Sequence, residues 1–180
     1  RDGVINEEPV PILTPEQFVM IPKSAAAVAR LNAEGFRCFV ITNQAAFARG
    51  DLSESAFQAI TDKMQHELQK AGAHLDGQYY CPHHPDWENG ERREVPAPCA
   101  CRKPGTLLLE QAAEEHGFSA EESILIGDST SDFAAASKWG ICSIGVHTGH
   151  GGQDSKAKAD PDYWRNDLWS AVEFLLANAS

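Results

Sequence analysis

No uninterrupted apolar run in the 180 residues approaches the ~20 needed to cross a bilayer, which excludes a helical membrane span. The opening stretch Arg1-Asp-Gly-Val-Ile-Asn6 lacks the apolar core of a signal peptide, so a cytoplasmic protein is expected. Positive charge is scarce: 15 Lys and Arg stand against 26 Asp and Glu, a formal charge of −11. The resulting field repels nucleic acid and anionic lipid, and neither is expected as a partner. A small anionic substrate answers to the local field of a cleft and is not excluded. The 14 Gly and 10 Pro follow no period, and 42% of residues are hydrophobic, which excludes collagen-like and wholly disordered chains. Cysteines are few and odd in number. Cys38 and Cys142 sit alone in apolar runs, as buried thiols do. Cys81, Cys99 and Cys101 cluster near His and Pro, where metal binding accounts for them better than a disulfide framework.

What the sequence does contain is alternation. β-rich runs near 37–42, 78–81, 123–127 and 141–146 interleave with helical patterns near 24–34, 53–71, 104–116, 131–139 and 168–177, several of them closed by glycine. Such alternation builds βαβ units around a mainly parallel sheet, so the expectation is one α/β domain over residues 1–180, a three-layer αβα Rossmann-like fold. The Pro- and charge-rich stretch 82–98 reads as a loop, and no large cap domain is evident.

In open parallel sheets, ligands bind beyond the carboxyl ends of strands. Four polar groups fall there: Asp2, Thr42-Asn43-Gln44, Arg102-Lys103, and Asp128 with Asp132. An Asp or Ser after a strand also caps the next helix, and Asp-Gly marks a turn. Taken together, carboxylates from separate strand ends suit Mg²⁺, which takes oxygen ligands and keeps waters that a phosphate can displace. Neutral donors and a cationic pair complete the ingredients of phosphoryl transfer. Cys81-Pro-His83 and Cys99-Ala-Cys101, with fifteen residues between His83 and Cys99, offer three thiolates and an imidazole. That set closes a tetrahedral Zn²⁺ site with no open position, a structural site on a loop spanning 81–101. His84 is the competing ligand.

The stretches Arg1-Asp-Gly-Val-Ile-Asn6, Ile41-Thr-Asn-Gln44 with Ala48-Arg-Gly50, Cys101-Arg-Lys-Pro104 and Ile126-Gly-Asp-Ser-Thr-Ser-Asp132 come in the order found in the haloacid dehalogenase superfamily of phosphatases. The chain resembles that superfamily almost end to end, within its histidinol-phosphatase-like branch. The resemblance implies an aspartyl-phosphate mechanism. Asp2 would be the general acid and then the base, and would share the Mg²⁺ site with Asp128, oriented by Asp132 from just outside. Thr42 and Asn43 would hold phosphoryl oxygens, with Gln44 and Ser129 among the substrate-binding positions. Lys103 would balance charge and Arg102 would hold the substrate. The related enzymes carry zinc on a matching loop, at Cys81, His83, Cys99 and Cys101. The nucleophilic aspartate is expected immediately before Arg1, at the end of an apolar first strand. Ala48-Arg49-Gly50 and the long zinc-loop spacer resemble the members that remove the 7-phosphate of D-glycero-D-manno-heptose 1,7-bisphosphate. Against that, the loop Glu7-Glu8-Pro9-Val10-Pro11 lacks their Gly-Tyr, and Ser129 replaces a lysine. A histidinol-phosphate phosphatase is the alternative, as is a catalytically dead protein that binds a phosphorylated ligand. A monomer acting on a small phosphorylated metabolite is expected. Gly149-His150-Gly151-Gly152 reads as a mobile loop, and His66, His74 and His116 as solvated.

Overall fold

The computed structural model describes residues 1–8, 11–93 and 99–178. Pro9 and Val10, and residues 94–98 of the long loop, lie outside the described residues.

The expected alternation is present. In chain order the elements are α1 (Ser24–Ala33), β1 (Phe39–Asn43), α2 (Glu54–Lys70), β2 (Gly77–Cys81), β3 (Trp87–Glu88), β4 (Glu91–Arg92), α3 (Leu107–His116), β5 (Ile124–Gly127), α4 (Thr130–Trp139), β6 (Cys142–Val146), β7 (Tyr163–Arg165) and α5 (Leu168–Asn178). In α2, Ser53 caps the first turn by accepting from the Ala56 N–H at 3.2 Å, and Phe57, Ile60, Met64 and Leu68 recur at helical spacing on its buried face. Helix α3 starts at Leu107, later than its sequence suggests. The chain from Arg102 turns first, with the Gly105 N–H on the Arg102 carbonyl at 2.6 Å. A Cβ on Gly105 would collide with the Ala100 carbonyl, so only glycine fits that turn. The hairpin β3–β4 lies within the stretch read as loop. Asn89 and Gly90, both at positive φ, make the two-residue reversal that Asn-Gly favours.

Strands β1 and β2 pair in parallel, as do β5, β6 and β7 in that order. Val40 of β1 and Ile144 and Val146 of β6 face a core built with α1, α2 and α5. Ile41 and Leu125 face the other way, against α3 and α4. Two helical layers thus sandwich the strands. The single sheet expected from the alternation appears as two parallel sheets, because β1 and β5 do not pair with each other. Between them runs a cavity of about 1040 Å³, lined along its length by residues 39–42 of β1 and 124–126 of β5. Its upper end opens at the carboxyl termini of both strands.

Candidate active site

Every strand-end residue singled out from the sequence lines that one cavity: Asp2, Thr42, Asn43, Gln44, Arg102, Lys103, Asp128, Ser129 and Asp132. Each is placed by identifiable local chemistry. Residues 1–6 form a buried turn, its Ile5 N–H on the Arg1 carbonyl at 2.8 Å and its Gly3 N–H on the Asn6 carbonyl at 2.8 Å. The turn presents Asp2, whose Oδ1 accepts from Arg1 Nε at 2.7 Å and Asn6 Nδ2 at 3.0 Å, while Oδ2 accepts from Gln44 Nε2 at 2.8 Å. Burial pushes the Asp2 carboxyl up, but the Arg1 guanidinium and these donors outweigh it and hold the group below the usual carboxylate range. The sequence carries no signal that Arg1 and Asn6 hold the Asp2 carboxylate. Their side chains are buried, and the ion pair between neighbours Arg1 and Asp2 has no spacing signature.

At the end of β1, the Asn43 side chain grips the Lys103 backbone twice, accepting from its N–H at 3.0 Å and donating to its carbonyl at 3.1 Å. Lys103 Nζ donates to the Ile41 carbonyl at 2.7 Å and pairs with Asp132 Oδ1 at 2.6 Å. Burial raises the Asp132 carboxyl, yet the Lys103 ammonium outweighs it and the net shift is downward. The other Asp132 oxygen accepts from the Ser129 N–H at 3.1 Å. The Ser129 hydroxyl is buried and turned into the first turn of α4, where it accepts from the Ser131 N–H at 3.2 Å. Arg102 donates to the His83 carbonyl at 3.1 Å on the long loop.

Asp128 sits among backbone. A Cβ on either Gly3 or Gly149 would collide with its Oδ2, so both glycines permit the close approach. The loop 149–152 is a turn bonded to this residue from two sides: the His150 N–H donates to Oδ2 at 2.8 Å and the Gly152 N–H to its carbonyl at 2.7 Å. Burial, opposed by the His150 N–H and reinforced by the charge of Asp132, raises the Asp128 carboxyl. Glu8 is raised too, by burial and by the charges of Asp2 and Asp128. Hard oxygen donors crowded until they repel are the donor set a divalent cation would relieve, so the residues present fit Mg²⁺.

The second cluster lies on the long loop. The six distances among Cys81 Sγ, His83 Nδ1, Cys99 Sγ and Cys101 Sγ fall between 2.9 and 3.7 Å. A tetrahedron with Zn–S bonds of ~2.3 Å has edges of ~3.8 Å, so one ion fits the enclosed space with little expansion. The Cys99 thiol is held down to about 7: burial raises it, but hydrogen bonds from Cys101 and the backbone outweigh that. His84 stands outside this set and accepts from the Asp86 N–H at 3.0 Å. His116 is half-buried rather than solvated, tilted against Phe39 with ring centroids 4.7 Å apart.

A HAD-hydrolase-like family model matches residues 100–171, the stretch that carries Arg102, Lys103, Asp128 and Asp132. The D-glycero-alpha-D-manno-heptose-1,7-bisphosphate 7-phosphatase of Photorhabdus laumondii is 37% identical over 152 residues, 83% of this chain and 81% of the relative. That of Thermosynechococcus vestitus is 35% identical over 180 residues, covering 97% and 92%. The chain belongs to the haloacid-dehalogenase-like phosphatases. It is therefore placed among the phosphoric monoester hydrolases. No helix among the described residues is long and apolar enough to cross a membrane. The solved D,D-heptose 1,7-bisphosphate phosphatase of B. bronchiseptica, complexed with magnesium and phosphate, superposes with a TM-score of 0.86 at 30% identity, covering 98% of this chain and 95% of that one. The same α/β architecture is thus shared over nearly the whole phosphatase chain.

Proposed function

We propose that this protein is a Mg²⁺-dependent phosphatase that removes the 7-phosphate of D-glycero-D-manno-heptose 1,7-bisphosphate. The convergence of Asp2, Thr42, Lys103 and Asp128 on one cavity end carries the reading; the names of the relatives supply the substrate. The attacking group is the carboxylate of an aspartate immediately before Arg1, ending an apolar strand seated between β1 and β5. The cavity between those two strands, apolar along its length and polar at the end beside Asp2, supports that placement. The carboxylate attacks phosphorus and the P–O bond to the sugar breaks, while Asp2, ionised in the free site, passes to the departing oxygen a proton it takes up as the phosphate monoester binds beside it. Asp2 then takes a proton from the water that attacks the aspartyl-phosphate, releasing inorganic phosphate and the free carboxylate.

Thr42 Oγ accepts from Gln44 Nε2 at 3.0 Å, so its own hydrogen is available for a phosphoryl oxygen. Lys103 spends two of its three protons on Ile41 and Asp132, leaving one for the phosphoryl group. Asn43 holds Lys103 in place. Asp2 and Asp128 would hold Mg²⁺ with Asp132 just outside, and Mg²⁺ when bound supplies positive charge against the phosphoryl oxygens. Zn²⁺ on Cys81, His83, Cys99 and Cys101 would fix the loop that carries Arg102 and Lys103. Arg102, adjacent to that cluster and only partly buried, holds the rest of the substrate. The site closes within one chain, which supports a monomer, and a three-thiol metal site suits the reducing cytoplasm.

The test is kcat/KM at saturating Mg²⁺ for the enzyme with an apolar strand ending in Asp before Arg1. A preference for the heptose bisphosphate over histidinol phosphate is expected. The reverse preference would overturn the substrate and leave the mechanism standing; no activity on any phosphate ester would leave a binding protein.

A further inference from the structure

Gln44 stands at the end of β1 beside residues proposed above to hold the phosphoryl group, yet its side-chain amide is taken up by protein partners. It is 6% exposed, and its amide nitrogen donates to Asp2 Oδ2 at 2.8 Å and to Thr42 Oγ at 3.0 Å. The amide has two hydrogens, and both are used. The flipped amide would set its oxygen against the Asp2 carboxylate, so the nitrogen must face it. Asp2 Oδ1 is held by Arg1 and Asn6, from its own turn. Oδ2 has Gln44 as its one side-chain donor among the described residues. The Gln44 N–H also donates to the Cys81 carbonyl at 2.8 Å, so the residue is anchored to the strand that begins the long loop.

We infer that Gln44 is a positioning residue: it aims the Asp2 carboxylate and, through the same nitrogen, orients the Thr42 hydroxyl, and it makes no contact with substrate. The inference rests on the role given to Asp2 above. Losing the aim should impair chiefly the two steps that need Asp2, protonation of the leaving oxygen and activation of water, and weaken phosphate binding far less, because Thr42 keeps its hydroxyl and Lys103 its ammonium. p-Nitrophenolate departs without a proton, so p-nitrophenyl phosphate separates the two steps.

The experiment compares Gln44→Met, which keeps length and removes both donors, and Gln44→Glu, which sets a carboxylate against Asp2. Both are made in the enzyme carrying the aspartate strand before Arg1, with rapid mixing against p-nitrophenyl phosphate. Each variant should release one p-nitrophenolate per site at a rate within about threefold of the parent. The steady rate should then fall about 10–100-fold, part of the ~10²–10⁴ that a general acid–base contributes. The burst counts active sites, so unfolded molecules do not enter the rate. A first turnover slowed as much as the steady rate, with its half-saturating concentration raised about tenfold, would make Gln44 a substrate donor and overturn the inference. So would an unchanged steady rate. A parent enzyme with no activity would count against the proposed function alone. In that case a crystal structure of the Gln44→Met chain decides: an Asp2 carboxylate swung off its present position supports the positioning role, and an unmoved one overturns it.

Discussion

The two walls of the cavity are built by different means. On the β5 side, Asp128 is wedged between Gly3 and Gly149 and bonded by the loop 149–152, so its place is set by backbone approach. On the β1 side, Arg102 and Lys103 arrive at the end of a long loop, and their place is set by what pins it: Asn43 from the strand and the Cys81, His83, Cys99, Cys101 cluster from within. The wall proposed to hold the metal is fixed by packing, while the wall proposed to hold phosphate is fixed by side-chain grips that bound Zn²⁺ would reinforce. A carboxylate that must stay within reach of a cation tolerates no backbone drift, and glycine contacts supply that. A cation gripping a substrate needs reach, and a loop clamped at one end supplies it.

The largest expected effect falls where both walls meet. Asp2→Asn, in the enzyme with its nucleophile, should lower turnover ~10²–10⁴-fold, the loss expected for a general acid–base. Near-normal turnover would show that neither wall serves the proton transfer.

Next comes the ion pair that joins the walls, Lys103 with Asp132. Asp132→Asn leaves a buried ammonium with a weaker partner and should cost roughly 3–5 kcal/mol of stability at neutral pH. Because the folded Asp132 carboxyl lies below its ordinary value, the stabilisation is present above about pH 4 and fades as pH falls through the folded value. The gap between wild type and variant in urea melts should therefore narrow in acid. A gap that stayed constant or widened would contradict the pairing.

Backbone approach on the β5 side is tested by glycine. Gly149→Ala forces a Cβ at positive φ to within 2.5 Å of the Gly3 Cα, and should cost at least ~1–3 kcal/mol and weaken Mg²⁺ binding. Gly72 has a similar positive φ with nothing within 4 Å of an added methyl, so Gly72→Ala should cost only about 1 kcal/mol and leave Mg²⁺ binding alone. Equal losses would mean that strain, not the approach to Asp128, decides.

The loop side gives the smallest effect. Cys99→Ser should abolish bound zinc in elemental analysis and raise KM about tenfold, while Mg²⁺ affinity stays within about twofold. A fall in Mg²⁺ affinity as large as the rise in KM would erase the distinction between the walls.

The same contrast explains how far the sequence could be read. Elements with strong periodicity and terminal signals, such as α2 behind Ser53 and α4 before Gly140, lie where the residues place them. Strand-end polar residues converge because a parallel sheet points its carboxyl ends one way. The Cys-x-His and Cys-x-Cys pairs come together because thiolates and imidazole announce themselves by type and spacing. Less legible were contacts made by backbone or by a single buried side chain. The Arg1–Asp2 pair, the hold of Gln44 on Asp2 and the close approach of Gly149 to Asp128 depend on tertiary distances that no spacing rule encodes. Strand β7, only three residues long after Asp-Pro-Asp, is too short to carry an alternation. The gap between β1 and β5 follows from the strand pairing alone.

The account turns on which carboxylate attacks phosphorus. Borohydride added during turnover of the enzyme with an Asp before Arg1 reduces an aspartyl-phosphate to homoserine, which peptide mass spectrometry then locates. Homoserine at the residue immediately before Arg1, accumulating further with p-nitrophenyl phosphate when Asp2→Asn slows hydrolysis, is the predicted result. Homoserine at Asp2 or Asp128, or none at any position while phosphate is still released, would contradict it.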